Sequence, residues 1–126
     1  MNIPADLKYS DQHEWVSIEG NVATVGITEH AAEALGDIVF VELPEPGAAV
    51  SAGSPCGEIE STKSVSDLFS PVDGSVSEIN QTVIDDSAVV NVDPYGNGWL
   101  FRVTVDDLPQ LLSATEYAAL VDGEAT

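Results

Sequence analysis

No apolar stretch of this chain runs far before a Gly, Pro, Asn or Asp interrupts it. This punctuation constrains the fold more than any other feature. A strand needs only about five apolar-rich residues between turns, whereas a globular helix needs about ten with a 3.6-residue period. Val22–Ile27 follows the turn signal Gly20-Asn21, and Ile38–Leu43 is rich in β-branched residues and stops at Pro44-Glu45-Pro46-Gly47. Gly57–Glu60, Ser64–Phe69, Ser75–Ile79 and Leu100–Val105 are further strand segments. Short strands at close spacing predict a mainly β fold, a small β-sandwich or flattened barrel. In Ile38–Leu43 the two-residue period sets Val39, Val41 and Leu43 on one side and Ile38 and Phe40 on the other. Both faces of that strand are therefore expected to be covered.

Two helical segments interrupt the strands. Near 28–36, Thr28 suits an N-cap, Glu29 the first turn and Gly36 the residue just past the end. Near 113–121, Ser113-Ala114-Thr115-Glu116 has the capping-box pattern, and Tyr117, Leu120 and Val121 follow at helical spacing. Asp106 is expected to cap a short helix with Pro109 in its first turn, and the tail from Asp122 to Thr126 to fray. At 126 residues the chain is expected to form one domain, 1–126, with a core that needs no staples.

Charge narrows the partners. Three Lys and Arg stand against 22 Asp and Glu, a net charge of −19. Phosphate binding requires clustered basic side chains, so no nucleic acid is expected, and an anionic membrane surface is excluded on the same ground. No segment approaches the ~18 consecutive apolar residues of a membrane span. The start at Met1 shows neither a signal peptide nor an Arg-rich transit peptide. A bacterial cytoplasm fits such a chain, and a mature mitochondrial chain stays open.

Catalytic chemistry is hard to build from these residues. The single Cys56 lies between Pro55 and Gly57 with no cationic neighbour, which reads as a structural thiol. His13-Glu14 begins like a zinc-helix motif, but Ser17 stands where the second His belongs, and the only other His is His30. No metal site and no catalytic residue are expected. There is no nucleophile elbow, phosphate loop or dinucleotide fingerprint.

Lys63 stands apart. It sits in Glu60-Ser61-Thr62-Lys63-Ser64-Val65, between two strand segments, among small polar residues that suit a tight turn. A lysine there projects a flexible four-carbon stem into solvent. A covalently carried cofactor needs that kind of exposed, firmly presented amine.

At this point the chain resembles the H proteins of the glycine cleavage system. The resemblance lies in Leu7-Lys8-Tyr9 with His13-Glu14-Trp15-Val16, in Gly26–Ala31 through Leu35-Gly36-Asp37, and in Val41–Gly47. It continues through Gly57–Ser64 with Asp67-Leu68 and Ser70–Gly74, and through Asn91 with Pro94–Leu100. The stretch Asp85–Val90 lacks the Pro-Leu pair that the family sets ahead of the Asn. The resemblance implies a lipoyl/biotinyl-type domain that is a shuttle and not an enzyme, with lipoic acid in amide linkage to Lys63. It implies that the arm takes an aminomethyl group from glycine decarboxylase, yields it to a tetrahydrofolate-dependent aminomethyltransferase, and is reoxidised by dihydrolipoyl dehydrogenase. A lipoate-attaching enzyme is a fourth partner, and the carrier is expected to be a monomer. The loaded group is cationic, so Glu14 and Asp67 become the expected contacts to the loaded arm.

Two other swinging-arm carriers fit less well. Biotin carriers usually flank the lysine with Met, and the lipoyl domains of 2-oxoacid dehydrogenases usually place Asp before it and Ala after it. Here the neighbours are Thr62 and Ser64. A cofactor-free acidic interaction module is the alternative from a different class.

Overall fold

The computed structural model describes residues 3–105 and 110–125. Its strands are β1 (Lys8–Tyr9), β2 (Glu14–Glu19), β3 (Val22–Ile27), β4 (Ile38–Glu42), β5 (Ala49–Val50), β6 (Pro55–Ser61), β7 (Val65–Phe69), β8 (Gly74–Ile79) and β9 (Phe101–Val105). Its helices are α1 (Glu29–Leu35), α2 (Gln81–Asp85), α3 (Ala88–Val92) and α4 (Ala114–Ala125). One antiparallel sheet runs β1-β2-β3-β9-β8-β5 and the other β4-β6-β7. The fold is mainly β and resembles a flattened sandwich, as the punctuation predicts.

The six strand segments read from the sequence all form, with ends displaced by at most a few residues. Their inward residues build one core, in which Val16, Val25, Val41, Ile59, Leu68, Val76, Phe101 and Val103 pack together. Burying a Val or Leu contributes about 1.5–3 kcal/mol, so this shared core is what holds the two sheets face to face. A second cluster lies where α4 docks: Tyr9 and Tyr117 stack at 4.7 Å between ring centroids, with Trp15 and Val121 alongside.

Both anticipated helix starts carry the expected caps. Thr28 accepts a hydrogen bond from the Ala31 N–H, and Gly36 closes α1 at φ +83°, a conformation open to glycine. Ser113 accepts from the Glu116 N–H while the Glu116 carboxylate accepts from the Ser113 N–H. The apolar stripe behaves as expected, with Tyr117 and Val121 buried.

Two expectations need correction. Strand β4 is not covered on both faces. Its pairing with β6 shifts register between Ile38 and Phe40, and this irregularity turns Ile38 and Val41 inward together. Val39 and Phe40 are left 51 % and 52 % exposed. The second concerns the tail: α4 does not stop near Val121 but continues through Ala125. The helix expected after Asp106, with Pro109, lies outside the described residues, as does Thr126.

Candidate functional site

The β6–β7 hairpin carries Lys63 at its tip. Ser61 ends β6 and makes the turn close: its N–H donates to the Ser64 carbonyl at 2.8 Å. Its hydroxyl also accepts from the Lys63 and Ser64 N–H groups at 3.3 and 3.1 Å. The small polar residues that marked the turn in the sequence are thus what satisfies its backbone. Lys63 is exposed. Its stem lies along Gly36, where an added Cβ would come within 3.0 Å of Lys63 Cε and 3.6 Å of Nζ.

The α1–β4 corner under the lysine is tied from three sides. Asn91 of α3 donates to the Gly36 carbonyl at 2.8 Å and accepts from the Ile38 N–H at 2.9 Å. Ser87 donates to the Ile38 carbonyl at 3.1 Å. The hairpin itself adds Thr62 N–H to the Asp37 carbonyl, at 3.0 Å. Sequence reasoning gave Asn91 and Ser87 no role, because their partners lie 49 or more positions away. An Asn inside the β-branched stretch Val89-Val90-Asn91-Val92 was the available signal. Replacing Asn91 with Ala strands one partly buried carbonyl and one N–H. The expected loss is about 2 kcal/mol of stability, read as a lower urea midpoint with unchanged slope.

Glu14 and Asp67 border one cleft, although the pairing of Asp67 with the exposed Glu58 sets its side chain toward the outer face of the sheet. Both line a cleft of about 220 Å³ whose walls are Ile27, Ala31, Ala34 and Leu35 on one side and Ile59, Ser66, Leu68 and Phe69 on the other. Leu35 of that wall precedes the Gly36 on which Lys63 rests, and Gly36 itself faces the larger cleft across α1. Asp67 is exposed, whereas Glu14 is only 2 % exposed and is not a solvated surface carboxylate. Burial raises the Glu14 carboxyl to about 8, with nearby Asp11 adding to the rise. Ser10, whose hydroxyl donates to Glu14 Oε1 at 2.6 Å, and the Phe69 N–H oppose the rise without cancelling it.

The other residues singled out in the sequence take structural places. Cys56 packs on the core, and desolvation followed by the Glu14 charge pushes its thiol up to about 12, far from a reactive thiolate. His13 and His30 lie 4.7 Å apart between ring centroids, tilted by 39°, and His13 Nδ1 lies 2.7 Å from the Tyr117 hydroxyl. The Tyr95–Leu100 stretch is a packed turn: the Tyr95 hydroxyl accepts the Glu29 N–H and Arg102 covers the Trp99 ring. A larger cleft of about 380 Å³ lies across α1 from the first, lined by Glu29, Glu33, Asp37, Asn91, Asp93 and Tyr95 among others. Among the described residues no helix is long and apolar enough to cross a membrane.

Comparison with known proteins bears on the whole chain. The family described as Glycine cleavage H-protein matches residues 7–124. A glycine cleavage system H protein of Beutenbergia cavernae is 60% identical over 98% of this chain and 100% of its own length. One of Thermobifida fusca is 56% identical over 98% of this chain and 99% of its own. The crystal structure of a glycine cleavage system H protein from Mycobacterium marinum superposes with a TM-score of 0.91 at 49% identity, covering 95% of this chain and 99% of that one. With the mainly β sandwich, the hairpin-borne lysine and these matches in hand, the chain belongs to the glycine cleavage H-protein family.

Proposed function

We propose that residues 1–126 act as one lipoyl-carrier domain, with lipoic acid in amide linkage to Lys63 and with Glu14 and Asp67 receiving the loaded arm. The observation that carries this reading is an exposed lysine on the tied turn of the β6–β7 hairpin, whose strand β7 also lines the cleft that Glu14 borders. The residues suit the group: the amine is reachable, and the apolar walls of the cleft match a hydrocarbon arm.

When attached, lipoate supplies a disulfide that takes up a one-carbon amine and is left as a dithiol. The protein supplies presentation. Ser61 and Thr62 hold the turn so that the lysine stem points outward over Gly36. Ile27, Ala31, Leu35 and Leu68 give the cleft apolar walls. Glu14 is buried and desolvated at that cleft, so a cationic cargo entering there favours release of its proton and pairs with the carboxylate left behind. Asp67, exposed at the rim, adds a second negative charge.

The family's system supplies the partners: glycine decarboxylase loads the arm, the aminomethyltransferase unloads it, dihydrolipoyl dehydrogenase reoxidises it, and a lipoate-attaching enzyme forms the amide. A carrier in this sequence has no catalytic residues of its own. The relatives compared are bacterial, which supports a bacterial cytoplasm as its location. The test is the intact mass of the chain made in a lipoylating host, followed by peptide mapping. The expected result is one added lipoyl group, found on the peptide containing Lys63. A bare mass from cells that lipoylate their other carriers overturns the assignment.

A further inference from the structure

One buried hydroxyl joins two parts of the lining of the cleft that Glu14 borders. Tyr117 of α4 is fully buried, and its hydroxyl lies 2.7 Å from His13 Nδ1 and 2.7 Å from Thr28 Oγ1. A phenol donates one hydrogen bond and accepts others, so it serves both groups at once. Thr28 caps α1 by accepting from the Ala31 N–H at 3.2 Å, and Ala31, Ala34 and Leu35 of that helix line the cleft. His13 and Glu14 line it as well, whereas Tyr117 does not. The His13 backbone stands at φ +68°, the one left-handed non-glycine residue among the described residues. That conformation is costly for a residue with a side chain and persists where its surroundings fix it. Here the His13 N–H donates to the Ser10 carbonyl at 3.3 Å, and the His13 carbonyl accepts from the Thr28 N–H at 3.1 Å. Tyr117 holds the ring, and His30 of α1 lies against it.

We propose that Tyr117 is a positioning residue for retention of the cargo: without touching the arm, its hydroxyl fixes the His13 turn against the start of α1 and so aims Glu14 into the cleft. The proposal rests on the reading of Glu14 given above and deepens it. The backbone of His13 sets the direction in which the chain leaves the turn, and Glu14 is the first residue of the strand that follows. The turn is short and its bonds are shared. The Ser10 N–H donates to the Glu14 carbonyl at 2.9 Å, and the Ser10 hydroxyl accepts from the Glu14 N–H at 3.2 Å while donating to Oε1. A relaxation at His13 therefore moves the Glu14 carboxylate and its Ser10 partner together. The place of the hydroxyl is set from α4, whose Tyr117 ring stacks on Tyr9 at 4.7 Å. The C-terminal helix thus reaches the cleft through a single oxygen.

The test uses the full, lipoylated chain, its mass verified, loaded by glycine decarboxylase and then freed of it. Release of the aminomethyl group is read as ammonia appearing with time. Tyr117→Phe keeps the ring that stacks on Tyr9 and removes only the hydroxyl. It is expected to speed release about five-fold, the worth of one ordinary hydrogen bond. Made in a Glu14→Gln background, the same change is expected to alter release by less than about two-fold, because the group it positions is gone. A general loosening of the fold instead accelerates release equally in both backgrounds. That result, or release at the parent rate from Tyr117→Phe, overturns the proposal. If a lowered urea midpoint shows that Tyr117→Phe undocks α4, His13→Ala takes its place in the same cycle, since it removes the ring that Tyr117 holds and disfavours the left-handed backbone. Faster release that disappears in the Glu14→Gln background supports the proposal, and additive effects overturn it. The Glu14 reading fails separately: release at the parent rate from Glu14→Gln alone removes Glu14 from the site. Fast release from Glu14→Gln beside parent-like release from Tyr117→Phe removes only Tyr117.

Discussion

Lys63→Arg is expected to abolish aminomethyl transfer, by about a thousandfold or more, because without the attached arm nothing delivers the cargo intramolecularly. The fold should barely notice. Lys63 is exposed, and the turn is closed by Ser61 and by backbone groups, none of which the substitution touches. A surface change of this kind shifts stability by about half a kcal/mol or less. Arg keeps the positive charge, yet its guanidinium stays protonated and does not form the lipoyl amide. Exchange activity with the partner enzymes and a urea unfolding curve together make the check. Exchange near the parent rate from a variant with a single Arg at this position removes Lys63 as the attachment point. A displaced urea midpoint instead shows that the lysine stem over Gly36 contributes to packing.

What the sequence made legible was local. Thr28 and Gly36 bracket α1, and Ser113 with Glu116 opens α4, because caps are decided by residues three or four positions apart. The turn at Lys63 was legible for the same reason: Ser61 and Ser64 satisfy each other's backbone within one hairpin. Helices α2 and α3 were not legible. Each has five residues, too few for a period to register, and both are rich in β-branched side chains that read as strand. The register shift in β4 was hidden as well. Alternation assigns Val39 and Phe40 to opposite faces, but the pairing with β6 leaves both largely exposed. Glu14 could be singled out as a carboxylate near the arm only through the family resemblance. Its burial depends on Ile27, Leu68 and Phe69 arriving from other strands, which no local pattern states.

That burial carries the second large expected effect. Glu14 holds its proton up to about pH 8 in the folded chain, mainly because desolvation disfavours the charge, against an ordinary value of 4.5. Across that window the native state binds more protons than the unfolded state, so the contribution of this group to stability falls as pH rises. It is fully present below about pH 4.5 and fully lost above about pH 8. At 1.36 kcal/mol per unit the difference is of the order of 5 kcal/mol. Glu14→Gln keeps the shape and an acceptor for the Ser10 hydroxyl but cannot ionise. The variant and parent should therefore unfold at similar urea concentrations at pH 4.5, and the variant should be the more stable by several kcal/mol at pH 9. Other titrating groups are common to both chains and cancel in the difference. Parallel stability curves across this range would show that Glu14 ionises normally in the fold. The same substitution separates stability from carriage: a more robust body should hold the cationic cargo less well, because the amide offers no charge to pair with it. Release of the aminomethyl group from the loaded arm should then be faster in the variant, and an unchanged release rate would remove Glu14 from the receiving site.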